Sequence, residues 1–321
     1  MTPPTKIHIK IKSIRAASNP FYGETHCSST VRTTGKSCNN NAYYKDNDLF
    51  LCGIHSNKST RTTLVRNPNA KAHKEQVLRE MYAEIDDVAK RNKGNGLVTV
   101  TKMRMIKNPE YRCGYLNVFP NYRHNDRKDG FGCSELSPKS LGPIEHNMPG
   151  LPVALNLENF HQYAKFWSFE LDSNDMPTEK ALCHRIKGYQ SKVPERHKHS
   201  KEILAKYGNI NVPKYSLYYR SDGTPLKYSY LECRYFYCHY YELLATQTES
   251  YKELLDKISR GYNLNIVGYD GYPPAGHMDM YLDTSKPYGH EMVLYTLLTI
   301  PEAYSYPWNI YKREHEDLYK L

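Results

Sequence analysis

Three cysteines and a histidine near the start of the chain, Cys27, Cys38, Cys52 and His55, form a donor set suited to metal chemistry. Three soft thiolates and one imidazole supply the four ligands of a closed tetrahedral zinc site, and the stretch Cys52-Gly53-Ile54-His55 has ligand-pair spacing. Gly35 and Gly53 allow the sharp turns that bring backbone N–H groups toward a sulfur. Thr30–Asn47 is mostly Thr, Asn, Lys, Gly and Tyr, so a structural zinc ion would supply the ordering energy that aliphatic burial does not. Four residues scattered on a loop are the alternative, and His26 beside Cys27 is a competing imidazole.

Glu158, Gln162 and Lys165, within LENFHQYAKFW, fall at i, i+4 and i+7, which on a helix aligns a carboxylate, an amide and an ammonium on one stripe. A carboxylate held near an ammonium stays ionised, and it can orient a water or stabilise positive charge on a sugar. The amide can hold a ribose or base edge. An ordinary polar helix face, with Phe160, Ala164 and Trp167 turned to the core, is the plain alternative.

A third group comprises Asp270, Asp283, His290 and Glu291. In NIVGYDGYPP a strand delivers Asp270 to a Gly-Pro loop, and DTSKPYGHE returns the chain to a helix start, the layout of a ligand crevice in an α/β unit. Backbone N–H groups at that helix start could receive an anion, and His290 could exchange a proton near neutral pH. The structural alternative makes Ser285 or Gly289 an N-cap and Glu291 a favourable first-turn charge. Glu232, on a helix expected to be largely buried, needs a partner such as Arg234 or a basic residue of the 178–206 segment. Cys238 and His239 are adjacent and so point about 100° apart on a helix, which discounts cysteine catalysis. Walker and Rossmann phosphate loops are absent.

The elements that must position these groups follow from periodicity. His8–Ile14 reads as an edge strand, Ser56–Ala72 as a basic connector, and Lys74–Lys90 as an amphipathic helix with Val77, Leu78, Met81, Ile85 and Val88 on one face. Leu97–Met105 reads as a strand continued, after a turn at Asn108 and Pro109, by Tyr111–Val118. Asn121–Pro152 is irregular, either a functional loop or disorder, and Leu157–Glu170 returns to helix. Thr178–Lys206 carries the basic cluster Lys187, Lys192, Arg196, His197, Lys198, His199 and Lys201, a solvated face or a phosphate contact. Tyr215–Tyr219 and Leu226–Tyr228 flank SDGT as a hairpin. Leu231–Ala245 and Tyr251–Arg260 read as helices, Leu264–Tyr269 as a buried strand and Gly289–Thr299 as a last helix.

A chain of 321 residues can bury a substantial core, and its net charge of +10 attracts polyanions without naming one. The start MTPPTKIHIK lacks a charged-then-apolar secretory pattern. Reduced thiols and an intracellular location, cytoplasm or nucleus, are therefore expected for the eight cysteines. No apolar run approaches the roughly 20 residues that span a bilayer. The 30 tyrosines suit either base stacking on exposed rings or an AT-rich coding source.

Leu116-Asn117-Val118-Phe119-Pro120, followed after an irregular loop by Glu158-Asn159-Phe160-His161-Gln162-Tyr163-Ala164-Lys165, resembles the NADAR family pattern, in which an LSNF-like segment precedes an ExxxQxxK helix. The resemblance spans residues 116–165 of 321. It implies a mostly helical N-glycosidase that cleaves the bond between ribose and a base in nucleotide or ADP-ribosyl substrates. Glu158 would then be the catalytic carboxylate, Gln162 and Lys165 would bind substrate, and Asn117 would shape the pocket. The intervening loop is longer than the family pattern, and the family's later helices do not align with 232–298. The knuckle resembles short GxxC...CxxH zinc knuckles of uncharacterised proteins of large DNA viruses and of some chromatin-associated subunits.

The resulting expectation is an α+β or α/β fold, helices on a modest mixed sheet, in three parts: a zinc knuckle at 1–62, a connector and amphipathic helix at 63–110, and a core domain at 111–321. The functional expectation is a NADAR-like N-glycosidase with Glu158, Asp270 and His290 catalytic and Asn117, Gln162, Lys165, Glu232 and Glu291 binding a nucleotide, ADP-ribosyl or nucleic-acid-linked substrate. The alternative is a noncatalytic zinc-binding, nucleic-acid-associated or virion protein of a large DNA virus.

Overall fold

The computed structural model describes residues 27–311 except 39, 41, 43, 61, 64–67, 104–110, 198 and 209–211. The strand expected over His8–Ile14, the competing donor His26 and Lys198 of the basic cluster lie outside the described residues. The fold is α+β: a parallel sheet, two antiparallel sheets and helices on both sides of the chain's midpoint.

Near the N-terminus, β1 (Tyr44–Asp46) pairs antiparallel with β2 (Leu49–Leu51) and with β3 (Thr62–Thr63). Gly35 closes the preceding turn at φ +64°, a left-handed conformation glycine adopts without strain. The buried cluster here consists of Cys27, Cys38, Leu51 and Cys52, with Val31 packed on it. Three of its four members are thiols.

The centre of the molecule is a four-stranded sheet in the order β4 (Val98–Lys102), β10 (Asn263–Gly268), β5 (Tyr115–Phe119), β6 (Phe131–Gly132), every pair parallel. The two strands read from sequence as one interrupted run are thus not neighbours, because β10 lies between them. All six residues of β10 are buried, the burial on both faces characteristic of a central parallel strand. Its polar side chains are satisfied laterally. Thr101 donates to Asn265 Oδ1 and Asn265 Nδ2 to Asn117 Oδ1, each at 2.8 Å, a polar ladder crossing β4, β10 and β5. Asn263 Oδ1 accepts from Asn92 Nδ2 and from the Leu97 N–H.

α1 (Pro68–Asn92) is longer than the periodicity alone indicated and places Met81 and Ile85 in the core shared with the sheet. The 63–110 segment, expected as a connector and amphipathic helix, contributes Met81, Ile85 and Val100 of α1 and β4 to the same core as residues 111–311. Apart from β6 and a 3₁₀ turn at Ser134–Leu136, the 121–152 segment is irregular, yet it buries Cys133, Leu136, Leu141 and Ile144. Within 178–206, α3 (Glu179–Gln190) and α4 (Lys201–Tyr207) start at the capping hydroxyls of Thr178 and Ser200.

The helix expected over 157–170 is shorter: α2 ends at Tyr163 (Leu157–Tyr163), and Lys165–Phe166 form β7. β7 joins β8 (Tyr215–Tyr219) and β9 (Pro225–Tyr228) in an antiparallel sheet. The Leu217 N–H donates to Ala164 O and the Lys214 N–H to Phe166 O, both at 2.8 Å, so strand pairing captures the groups a continued helix would have used. α5 (Glu232–Ala245), α6 (Glu249–Ser259), α7 (His277–Leu282) and α8 (His290–Thr299) complete the fold. α8, rich in Met, Val and Leu, is packed on β4, β10 and α5. Among the described residues no helix is long and apolar enough to cross a membrane, and none of the eight cysteines is in a disulfide.

Candidate functional site

Cys27, Cys38, Cys52 and His55 come together with their donor atoms within 4.8 Å of one another. The Cys27 and Cys52 sulfurs lie 3.3 and 3.4 Å from His55 Nδ1, and the Cys38 and Cys52 sulfurs are 4.0 Å apart. Around a tetrahedral zinc ion the corresponding separations are about 3.5 Å for S to N and about 3.8 Å for S to S, so the cage fits a metal ion. Burial pushes the Cys52 thiol up, but the N–H groups of His55 and Ile54 outweigh it and bring its pKa down to about 7. The Asn40 N–H lowers the Cys38 thiol, whereas burial and the neighbouring thiols Cys27 and Cys52 raise it above its ordinary value. The tight turn at 52–56, in which the His55 and Ser56 N–H groups donate to Cys52 O, places His55 over the sulfurs.

The second site is a cavity of about 720 Å³ at the carboxyl ends of the parallel strands, the position at which open parallel sheets bind ligands. Past β5 the chain supplies Asn121 and Arg123, and past β10 it supplies Tyr269 and Asp270. Asn121 Nδ2 donates to Val267 O at 2.8 Å, tying the two strand ends together. α2 contributes Glu158 and Gln162, with Gln162 Nε2 donating to Glu158 Oε1 at 3.2 Å. Asn156 caps α2 by accepting the Asn159 N–H. Lys165 reaches the same cavity from β7 rather than from the helix.

On the opposite wall, Gly289 caps α8 and is followed by His290 and Glu291. Glu291 is fully buried. The Asp270 N–H donates to its Oε1 at 3.4 Å, and its Oε2, 3.2 Å from His290 Nδ1, has no hydrogen bond among the described residues. Gly268 makes this arrangement possible, since a Cβ there would stand 1.8 Å from Glu291 Oε1. His290 Nε2 is also buried and without a partner among the described residues. Buried polar atoms left open at a cavity wall are the condition in which a ligand supplies the missing bonds.

The floor is dry. Burial holds Lys165 below its ordinary range, with Cys233 and Glu158 pulling it partly back, and burial with the Lys165 charge holds His161 well below its own. Burial, then the Glu158 charge, drives Tyr237 well up. Uncharged phenol and imidazole therefore surround the carboxylate.

Six of the expected site residues, Glu158, Gln162, Lys165, Asp270, His290 and Glu291, thus line one cavity. Two do not. Asn117 is buried within the sheet in the ladder with Asn265. Glu232 sits at the start of α5, where its carboxylate accepts the Ser229 N–H at 2.7 Å, a helix-cap role in place of the ion pair expected with Arg234. Arg234 donates instead to the carbonyls of Tyr281, Asp283 and Lys286. Cys238 is buried and its thiol is pushed well up by burial, which removes the thiolate a nucleophile needs.

Sequence reading does not point to Arg123, Lys139 or Arg234 as cavity residues, whereas Lys192 and Arg196, which also line it, belong to the basic cluster expected to be a solvated face or a phosphate contact. Asn159, inside the ExxxQxxK string, is fully buried. Its amide nitrogen donates to Ser191 O and Val193 O, and its oxygen accepts the Glu195 N–H at 3.0 Å, so it pins the loop that presents Lys192 and Arg196. A polar residue on the apolar side of an amphipathic helix is the signal that could have found it. Compared with known protein families, curated proteins and solved structures, the chain matches none of them.

Proposed function

We propose that the chain is an N-glycosidase resembling the NADAR family, acting at a ribose–base bond of a nucleotide, ADP-ribosyl or nucleic-acid-linked substrate. The observation that carries the reading is convergence: Glu158 with Gln162, and Asp270 with His290 and Glu291, more than a hundred residues apart in sequence, face one cavity. Its charge suits a phosphorylated substrate, because six basic side chains (Arg123, Lys139, Lys165, Lys192, Arg196 and Arg234) stand against three carboxylates. Arg234 is buried and pairs with no carboxylate among the described residues, leaving a desolvated positive charge for an anion to meet.

In this reading the C–N bond breaks with its electron pair leaving on the base, and positive charge develops on the ribose beside Glu158. A water oxygen then adds to the ribose carbon as Glu158 takes its proton, and His290 protonates the departing base. Mass spectrometry of purified protein incubated with NAD, ADP-ribose, ADP-ribosylated nucleic acid and a nucleotide panel tests it. Base release by the wild type, reduced roughly 10²-fold or more in Glu158→Gln, is the expected result. No release from any substrate overturns it.

The N-terminal cage we read as a structural zinc knuckle, since three thiolates and an imidazole favour zinc over harder ions. That feature, with the net charge of +10, favours a second reading as a noncatalytic nucleic-acid-associated or virion protein. Its signature is nucleic-acid binding whose logarithm falls linearly with log salt and is unchanged in Glu158→Gln.

A further inference from the structure

We propose a second metal site, formed by Glu170, His184 and His197, that takes a divalent transition ion with a zinc-like preference for imidazole and carboxylate. The donor atoms of these three residues lie within 4.8 Å of one another. They come from separate places in the chain: Glu170 from the 3₁₀ turn after β7, His184 from α3 and His197 from the loop after α3.

The carboxylate is already oriented. Glu170 Oε2 accepts the Trp167 N–H at 3.0 Å, which turns Oε1 toward His197 Nε2, also at 3.0 Å. The His197 side chain is only 4% exposed and that of Glu170 12%. His197 Nδ1 is buried and has no hydrogen-bond partner among the described residues. The two imidazoles meet edge to face with ring centroids 4.6 Å apart. Tyr163 stacks on His197, and Trp167 meets it edge-on.

Two imidazoles and a carboxylate form the three-ligand set of open zinc and related sites, in which water completes the shell. Donors around a tetrahedral zinc ion stand about 3.4 Å apart, so side-chain rotations closing the set by up to about 1.4 Å would complete the site. The surrounding rings keep solvent back and fix the imidazole planes, the support that metal-binding histidines require. A hydrogen-bonded aromatic cluster would need neither the second imidazole at this distance nor an open nitrogen on a buried ring.

The consequence is positional. His197 follows directly on Arg196, and the same loop carries Lys192, both lining the cavity. An ion here would lock that loop from one end while Asn159 holds it from the other. The proposal is independent of the glycosidase reading.

The test uses the full chain with Cys38→Ser and Cys52→Ser, which disables the thiolate cage and leaves the second site untouched. After zinc loading and desalting, this variant is expected to retain one equivalent by elemental analysis. X-ray absorption should show only nitrogen and oxygen scatterers, and adding His184→Ala should release the ion. Retention of no zinc by the double variant, or zinc retention that His184→Ala does not change, overturns the proposal.

Discussion

The thiolate module and the cavity domain order themselves by opposite means. Among the described residues of the former, the buried aliphatic side chains are Leu51 and the small Ala42, and burial of Leu51 contributes about 2 kcal/mol. Fixing a segment of that length costs on the order of tens of kcal/mol. The cavity domain has a large apolar core running from Met81 to Trp308, to which α1, the sheet, α5 and α8 all contribute, and a smaller cluster of Phe166, Ala181, Tyr215 and Leu217 beside it. The difference teaches where each region can fail: the first has four metal-type donors where the second has many packed side chains and a few buried polar residues.

Metal removal should separate the two most widely. Structural zinc contributes about 10 kcal/mol or more to folding of small cages, so a chelator should collapse the amide NMR dispersion of residues 27–60 while the main thermal transition persists. Coincident loss of both would break the comparison.

Acid probes the cavity domain by a different route. His146 Nε2 donates to Pro152 O at 2.9 Å and its Nδ1 accepts the Met148 N–H at 3.1 Å, an arrangement available only to the neutral ring. Burial, opposed by the bond to Pro152 and aided by Arg185, lowers its pKa to about 4. The folded value lies below the unfolded one of about 6.5. The stabilisation is therefore complete above pH ~6.5 and is lost as pH falls from there toward about 4, by up to about 3 kcal/mol. His161, also held well below its ordinary range, acts in the same sense. Thermal melts across that range should fall steeply for the wild type and less steeply for His146→Gln, which starts lower at neutral pH. Parallel slopes would remove His146 as a source.

Asn159→Ala should have the smallest effect on stability, about 2 kcal/mol from backbone groups left unpaired. Its sharper signature is local, namely faster hydrogen exchange at Glu195, whose N–H it accepts, while α8 is unchanged. Unaltered exchange in that loop would show that other contacts hold it.

Much of this was legible along the chain. The hairpin around SDGT, the two helices of 231–260, the buried strand at 264 and the capped helix after Gly289 each announce themselves by local periodicity or turn chemistry. The thiolate cage was legible because its donor types are rare and its last two are tightly spaced. Other features depended on partners distant in sequence. The end of α2 at Tyr163 is decided by β8, Asn117 by Asn265, and Arg234 by three carbonyls of the 281–286 segment. No pattern within a window of 158–165 could reveal that Lys165 leaves the helix yet still reaches the cavity.

By itself, then, the sequence determined the donor set at 27–55, the helix and strand identities of the last third, and which polar residues were candidates for chemistry. All of these are properties of residue type and short spacing. The tertiary structure alone decided that β10 inserts between β4 and β5, that six of the candidate residues share one cavity while Asn117 and Glu232 do not, and that Glu170, His184 and His197 converge. Those outcomes come from long-range strand pairing and packing, whose energies depend on which distant segments share a core, and local spacing carries no record of that choice.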